Sequence, residues 1–387
     1  MARRLLLAAA VVAVPVAYVI AVNPGLPYDE PAHWANVLYI AHHGTPPVLG
    51  RNASYEAQMG PVAYYLYAAV TRTASALHAG TSTAFYACRL LGIPLLLTVF
   101  VLTRRLVARA TSLSPLATTT GAAVATLNPM VVAMATSIQN DTLALALALL
   151  ALLLVVDGST STRGAAAAGA VAGLAVLTKL TAWPVAPAIV IWLLARRRPR
   201  AALAAGAAAA VVSGWWFLRN VFLYGDLTGQ QGVADAGYRF GPGEVAGTHG
   251  VAHLARLSVS YLWLPTEYFR NTISAPSVLQ LLLALLTIGL LVLGVVKARS
   301  RPRTDVLRVL AGVSVAAYVA WLVTYAVVQA VAPRVAYVAL AGWALVVALA
   351  LADRERRAAW LAGVGLLGLH IWTVIAVSGV SYTGLQL

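Results

Sequence analysis

The chain reads as an all-α, polytopic membrane protein, and three observations point there. Hydrophobic residues make up 61% of its 387 residues and charged residues only 10%, whereas a typical soluble domain is about 25% charged; mean hydropathy is +0.82. Apolar runs of bilayer-spanning length recur along the whole sequence. Between them the basic residues sit in short clusters, so the formal net charge of +15 reflects membrane topology rather than a groove-binding face, and a nucleic-acid partner is excluded.

Runs at 5–22, 83–103, 115–136, 140–156, 164–179, 180–195, 201–222, 276–296, 307–329, 335–352 and 358–379 give about eleven transmembrane helices. The first follows Arg3 and Arg4, and its length fits a retained span better than a cleaved leader. Gly60 to Leu77 is a twelfth candidate that the charges reject. Counting it would put Arg104, Arg105 and Arg109 on the same side as Asp29 and break the positive-inside bias. Laid flat on the outer surface, with Tyr55, Tyr64, Tyr65 and Tyr67 at headgroup depth, it restores the pattern. The clusters Arg3/Arg4, Arg104 to Arg109, Arg163, Arg196 to Arg200, Lys297 to Arg308 and Arg354 to Arg357 then all face the cytoplasm, as does the N-terminus.

The result is a single transmembrane domain over 1–387 with no soluble domain at either end and two large outer loops. The first, 23–82, holds an amphipathic helix with Trp34, Val37, Leu38 and Ala41 at helical spacing, then the flat Tyr-rich helix. The second, 223–275, carries the flexible Gly241-Pro242-Gly243-Glu244 stretch and a surface helix around His253 to Leu264. Chemistry is therefore expected at or just outside the outer membrane–water interface.

Acidic residues at that interface stand out, because a carboxylate near hydrocarbon loses hydration. Asp29 and Glu30 follow the first span directly, and Asp141 opens another. Each has a plain structural alternative as a helix cap, Asp29 and Glu30 for the helix that Pro31 opens. Lys179, Arg219 and Arg334 lie near helix ends on the same side. They read either as ion-pair partners of the acids or as an anion site for a phosphate. His42, His43, His249 and His253 can be drawn as metal ligands with Asp29 or Glu244, but a polar loop favours solvated histidines, and no metal set is assigned. His370, in the last span, reads as a helix-packing hydrogen bonder. Cys88 is the one cysteine, so neither a disulfide nor a cysteine metal site forms within the chain. Asn52-Ala53-Ser54 matches a glycosylation sequon, a three-residue pattern that chance produces readily.

Taken in order, these motifs resemble those of the membrane-embedded GT-C glycosyltransferases, in the group of the protein O-mannosyltransferases and aminoarabinose–lipid A transferases. The pieces are Asp29-Glu30 with His43-Gly44-Thr45-Pro46-Pro47; Tyr55-Glu56-Ala57-Gln58 before Pro61 and Tyr64-Tyr65; and Asn128-Pro129 leading to Asn140-Asp141. Gly173 to Lys179, and Gly214 to Asn220 with Tyr224-Gly225-Asp226, complete the series. Two departures stand beside them. Met59-Gly60-Pro61 replaces the family's Pro-Pro or Lys-Pro step, and Arg334-Val335-Ala336-Tyr337 replaces an adjacent Arg-Tyr pair.

The resemblance implies a GT-C fold and an inverting transfer of a sugar, mannose by family preference, from a polyprenyl-phosphate donor to an acceptor hydroxyl at the outer face. It implies Asp29 as general base, its pKa raised somewhat by desolvation, with Glu30 and Asp141 orienting; Lys179, Arg219, Arg334 and Tyr337 at the donor phosphate; and His33, Gln58, Tyr64 and Asn140 against substrate. No cofactor is required beyond the lipid-linked sugar, although a divalent metal ion is compatible with the site. The acceptor is left open among a small molecule, a lipid, a peptide and a glycan. A membrane transporter or lipid flippase is the competing class, which would place its charges at the bilayer midplane and show inverted repeats. The Ala, Val and Arg bias, with Lys179 and Lys297 the only lysines, suggests a GC-rich bacterial genome and a plasma-membrane location.

Overall fold

The computed structural model describes residues 2–50, 54–157, 161–238, 241–300, 305–327, 332–382 and 385, with side chains from residue 12 onward. Asn52 of the sequon, Arg301 and Arg303 of the fifth basic cluster, and the end of the 307–329 run lie outside these residues. Among the described residues all regular structure is helical. Helix α1 (Ala2–Ala21) leads to α2 (Glu30–His43), α3 (Val62–Ala76) and the long α4 (Thr81–Ala110). Then come α5 (Pro115–Thr126), α6 (Pro129–Ala135), α7 (Asp141–Val156), α8 (Thr162–Thr178), α9 (Val185–Ala195) and α10 (Pro199–Tyr224). The second half carries α11 (Gln230–Asp235), α12 (Gly247–Trp263), α13 (Ser277–Arg299), α14 (Asp305–Val327), α15 (Leu340–Leu351) and α16 (Glu355–Ser378).

Local sequence explains many of the boundaries. Ser114, Asn128 and Ser161 cap α5, α6 and α8, each side-chain oxygen accepting from a backbone N–H three residues on, and prolines open α5, α6 and α10 at their first turn. The Asn128-Pro129 step separates α5 from α6 by a 64° bend. Gly44 and Gly225 end α2 and α10 in the left-handed conformation.

Every expected span has a helical counterpart, but length and composition qualify fewer as bilayer-crossing. Five helical stretches are long and apolar enough, or six if the bent α5–α6 pair is one span, which makes the protein multi-pass. Helices such as α7 and α8, of 16 and 17 residues, fall short of that length on their own. α13 is typical of the long ones, with Leu281, Leu285 and Val292 each more than half exposed, as suits a surface whose solvent is hydrocarbon.

Ion pairs mark one end of the bundle. Arg109 meets Asp157 at 2.9 Å, Arg196 meets Asp305 at 2.7 Å and Lys297 meets Asp353 at 2.7 Å, while Ser114 donates to Glu355. Members of three of the basic clusters that the charge pattern assigns to one side, Arg109, Arg196 and Lys297, thus gather there. Helix α3 begins and ends at the opposite end. Its approach residue Gly60 abuts the C-terminus of α8, and its last turn runs into Gly80 and the start of α4, whose far end carries Arg109. It does not cross the bundle, as its own chemistry indicated. Under it Trp34, Val37, Ile40, Tyr64, Tyr67 and Phe85 form a small separate core, with Leu38 and Ala41 half-buried at its edge. The second expected surface helix is α12, and His370 packs as anticipated, its ring nitrogens 3.1 Å from the Tyr18 hydroxyl and 2.8 Å from the Leu127 carbonyl.

Candidate functional site

The end of the bundle opposite the ion-pair belt holds a compact charged cluster. Asp29 sits in the left-handed region, φ 65°, between the end of α1 and the start of α2, a conformation that Asp tolerates better than most residues. Asp141 is the first residue of α7, and Lys179 leaves the C-terminus of α8 in extended conformation. Arg334 comes from a short 3-10 turn, Pro333–Ala339, that precedes α15. Four segments distant in sequence therefore meet.

Their contacts are specific. Lys179 Nζ lies 2.8 Å from Asp141 Oδ1. Arg334 donates through Nη2 to Asp29 Oδ2, and its Nη1 reaches Gln139 Oε1 at 3.5 Å and Asp141 Oδ2 at 4.0 Å. Tyr55 donates its hydroxyl to Asp29 Oδ1. All four charged residues are less than 10% exposed. Two carboxylates thus face two cations in a nearly sealed environment, where an unpaired charge is costly.

Around them lie polar atoms with nothing to bond. His33 donates or accepts at Nδ1 with the Tyr64 hydroxyl at 2.8 Å, but its Nε2 has no partner. Glu56 Oε2, Asn36 Nδ2, Gln58 Oε1, Thr142 Oγ1 and both side-chain polar atoms of Asn140 are likewise buried without a hydrogen-bond partner, as is Asp141 Oδ2, which has only the long ion-pair contact to Arg334. Native interiors leave few such groups, and a concentration of them beside paired charges makes this the candidate site.

Electrostatics divides the acids. The Asp29 carboxyl is pushed up by burial, but Arg334 above all, with His33, the Tyr55 hydroxyl and Lys179, outweighs this and holds it below its ordinary value. The expectation of a raised pKa is therefore wrong for Asp29, because desolvation was weighed without its counter-ion. The raised acid is Glu56, pushed up to about 8 by burial and then by the negative charge of Asp29. Burial pushes His33 down to about 3, so its imidazole is neutral.

Other expected residues lie elsewhere. Glu30 turns away from its neighbour: its carboxylate takes 2.9 and 2.6 Å bonds from the Arg89 guanidinium, 2.9 Å from the Gly25 N–H and 3.0 Å from the Ile138 N–H. Arg219 stacks on Trp216, 4.3 Å from the ring centre, and donates at 2.8 Å to the Pro47 carbonyl. Tyr337 points away from the acids and donates at 2.6 Å to the Tyr261 carbonyl. The structure brings together Asp29, Asp141, Lys179, Arg334 and His33; it does not bring Glu30, Arg219 or Tyr337 into contact with the paired acids. Tyr64 touches the cluster through His33, and Gln58 and Asn140 contribute unpartnered atoms.

Sequence reasoning missed Glu56 and Tyr55 as site residues although it quoted their motif. What delivers them is Gly60. A Cβ there would stand 1.7 Å from the Leu177 carbonyl oxygen, so only glycine lets the 54–60 segment lie against the α8 terminus that bears Lys179. The Met59-Gly60-Pro61 departure is thus a close-approach requirement. Trp216 and Asn220 secure the same segment by donating to the Gln58 carbonyl at 2.9 and 3.3 Å.

Asp29, His33 and Glu56 also offer three ligand atoms within 4.8 Å of one another. A neutral imidazole with a bare Nε2 and carboxylates suit a divalent ion of the zinc or manganese type, so the donor set fits, with Asp29 having to yield its bond to Arg334. The candidate histidines of the loops are not part of this group. A cavity of about 1070 Å³ between α12, α13, α14 and α15 is mostly apolar and is lined by none of the paired acids. Chemistry follows the charged cluster instead.

Residues 58–217 match the family model described as dolichyl-phosphate-mannose-protein mannosyltransferase. No curated protein matches the chain. Among solved structures the chain is similar to ArnT from Cupriavidus metallidurans bound to undecaprenyl phosphate, at 16% identity and a TM-score of 0.57 over 94% of this chain and 63% of that one. It is also similar to the Archaeoglobus fulgidus oligosaccharyltransferase in complex with zinc and sulfate, at 15% identity and a TM-score of 0.55, covering 95% and 53%. A third match is archaeal AglB from Archaeoglobus fulgidus with an inhibitory peptide and a dolichol-phosphate, at 15% identity, a TM-score of 0.53, and 95% and 55% coverage. The chain spans less than two thirds of the length of these structures, and at such identities the likeness is one of fold. The resemblance read from the motifs, to the GT-C glycosyltransferases, holds in sequence over residues 58–217 and in fold over most of the chain.

Proposed function

We propose that this protein is an inverting glycosyltransferase that moves a sugar from a polyprenyl-phosphate donor to an acceptor hydroxyl at the outer face of a bacterial plasma membrane. The observation that carries the reading is the cluster itself: two buried carboxylates, two cations able to hold a phosphate, and a surround of unpartnered amide, imidazole and hydroxyl groups. A sugar phosphate supplies matching chemistry, since hydroxyls bond the neutral groups and the phosphate bonds Lys179 and Arg334. The short helices α7 and α8 cross the bilayer with their neighbours, giving about eleven spans in a locally thinned bilayer. The positive-inside bias sets the N-terminus in the cytoplasm.

In the proposed reaction the acceptor oxygen attacks the anomeric carbon as the bond to the phosphate oxygen breaks. The bonding pair leaves on the phosphate, and the acceptor proton passes to Asp29. A single displacement inverts the anomeric carbon and needs one base. Asp141 fixes Lys179 toward the departing charge. A divalent ion held by Asp29, His33 and Glu56 would add Lewis-acid stabilisation of the same charge. Mannose is the proposed sugar on the description of the matching family model; a small, lipid-like or peptide acceptor is proposed over a folded protein.

A transporter would need its charges at mid-bundle, and this cluster lies at one end. The test is sugar release from radiolabelled polyprenyl-phosphate sugars by protein in nanodiscs, with Asp29→Asn alongside. Release that the variant abolishes while still binding donor supports the reading; a folded protein that binds no donor removes it.

A further inference from the structure

The proposed roles of Asp29 and Arg334 compete for the same bond. Arg334 is assigned to the phosphate and Asp29 to the acceptor proton, yet the two side chains are joined to each other, and the second oxygen of Asp29 takes the Tyr55 hydroxyl. In this arrangement each Asp29 oxygen already accepts one bond, so an acceptor hydroxyl has to share an oxygen with Arg334 or with Tyr55. It is 6% exposed and Arg334 8%, so solvent does not substitute for either partner.

The guanidinium is held unequally. One direct bond goes from Nη2 to Asp29, while Nη1 has only the longer contacts to Gln139 at 3.5 Å and Asp141 at 4.0 Å, and Tyr268 lies beneath at 5.5 Å. Its backbone is a 3-10 turn leading into α15, a poorer hydrogen-bonded frame than an α-helix. Asp141, by contrast, keeps Lys179 at 2.8 Å. Two carboxylates and two cations balance; an entering phosphate adds an anion that needs a cation, and Arg334, whose Nη1 makes only long contacts, can turn to it at the expense of its bond to Asp29.

We infer that the Asp29–Arg334 pair is a latch opened by the donor's own phosphate: the lipid phosphate takes Arg334 from Asp29, and the freed carboxylate oxygen becomes available to the acceptor hydroxyl only while a donor is in place. The inference rests on the glycosyltransferase reading and adds the regulation of its base. It makes the base donor-dependent, which guards against reaction before both substrates are assembled.

Competition of this kind is measured by binding. Undecaprenyl phosphate, without sugar, is titrated against protein in nanodiscs. Asp29→Asn releases Arg334 in advance and is expected to bind at least about tenfold tighter than the unaltered chain, the size of a modest charge-pair coupling. In an Arg334→Gln background the same Asp29→Asn change is expected to bring no gain. Asp29→Glu, which keeps the pair, stays near the unaltered affinity. In the unaltered protein, undecaprenyl phosphate is expected to shift a carboxylate stretch in the infrared difference spectrum, a readout independent of any variant's folding.

If phosphate binds but Asp29→Asn gains nothing, or if the carboxylate band does not move, the latch is overturned and the glycosyltransferase reading stands. A gain that persists without Arg334 is plain charge repulsion and also overturns the latch. Failure of both the unaltered protein and Asp29→Asn to bind undecaprenyl phosphate, with both folded, overturns the latch and the reading together.

Discussion

Asp29 and Glu30 are neighbours in sequence, and each meets an arginine from far along the chain, yet their surroundings differ in kind. Glu30 is fully buried against Arg89, its two oxygens accept four N–H bonds, and Arg89 spends its remaining donors on the Val22 and Asn23 carbonyls at 2.6 and 3.2 Å. Asp29 sits where unpartnered polar atoms concentrate and where one cation serves two acids. A saturated ion pair ties α1, α2, α4 and the 136–140 connection together; an under-satisfied one leaves bonds for a ligand. On the proposed reading, satisfaction, more than burial or charge, separates architecture from chemistry.

That contrast can be broken most decisively at Arg89. Arg89→Ala leaves a buried carboxylate unpaired and is expected to cost about 3–5 kcal/mol, read as a large loss of thermal stability in micelles. The double replacement Glu30→Leu/Arg89→Met should recover most of that stability and keep sugar transfer within about tenfold, as befits a structural pair. A double variant that folds normally but is inactive would move Glu30 back among the catalytic groups.

The opposite pattern is expected across the other pair. Asp141→Asn/Lys179→Met removes both charges at once, so stability should change by less than the single Arg89 variant. Donor turnover should fall by about a hundredfold or more, the usual loss when a charge-stabilising group is removed. Steady-state transfer measured beside thermal unfolding separates the two effects.

A smaller effect sharpens the boundary of the site. Glu56 already holds its proton near neutral pH, so the amide isostere Glu56→Gln is expected to shift stability by less than about 1 kcal/mol, checked by thermal unfolding. A larger loss would mean that Glu56 is held as a charge.

The smallest effect belongs to an acid outside both clusters. Burial raises the Asp226 carboxyl, but hydrogen bonds from the Thr228 hydroxyl and the N–H groups of Gln231, Thr228 and Gln230 together outweigh this and lower it. A depressed carboxyl contributes stability above the ordinary carboxylate pKa and loses it as pH falls through the lower folded value. Hydrogen-exchange protection of residues 226–231, taken relative to the intrinsic exchange rate at each pH, is therefore expected to fall in acid, and Asp226→Asn to abolish that dependence while leaving transfer intact.

Much of this was legible beforehand. Apolar periodicity and charge clustering determine that the chain is helical, that it enters a membrane repeatedly, that residues 60–77 stay on one surface and that Asp29, Asp141, Lys179 and Arg334 share one end, because bilayer energetics act on each segment by length and polarity alone. The partners of those charges were not legible. Whether Glu30 joins Asp29 or turns to Arg89, whether Arg219 reaches an acid or the Pro47 carbonyl, and whether Tyr337 faces the site or Tyr261 are settled by contacts between segments far apart in sequence. The pKa of Asp29 failed for the same reason: desolvation can be judged from a residue's position, but the cation that outweighs it arrives 305 residues later. Glu56 was hidden until Gly60 brought its loop against α8, a close approach that tertiary packing alone decides.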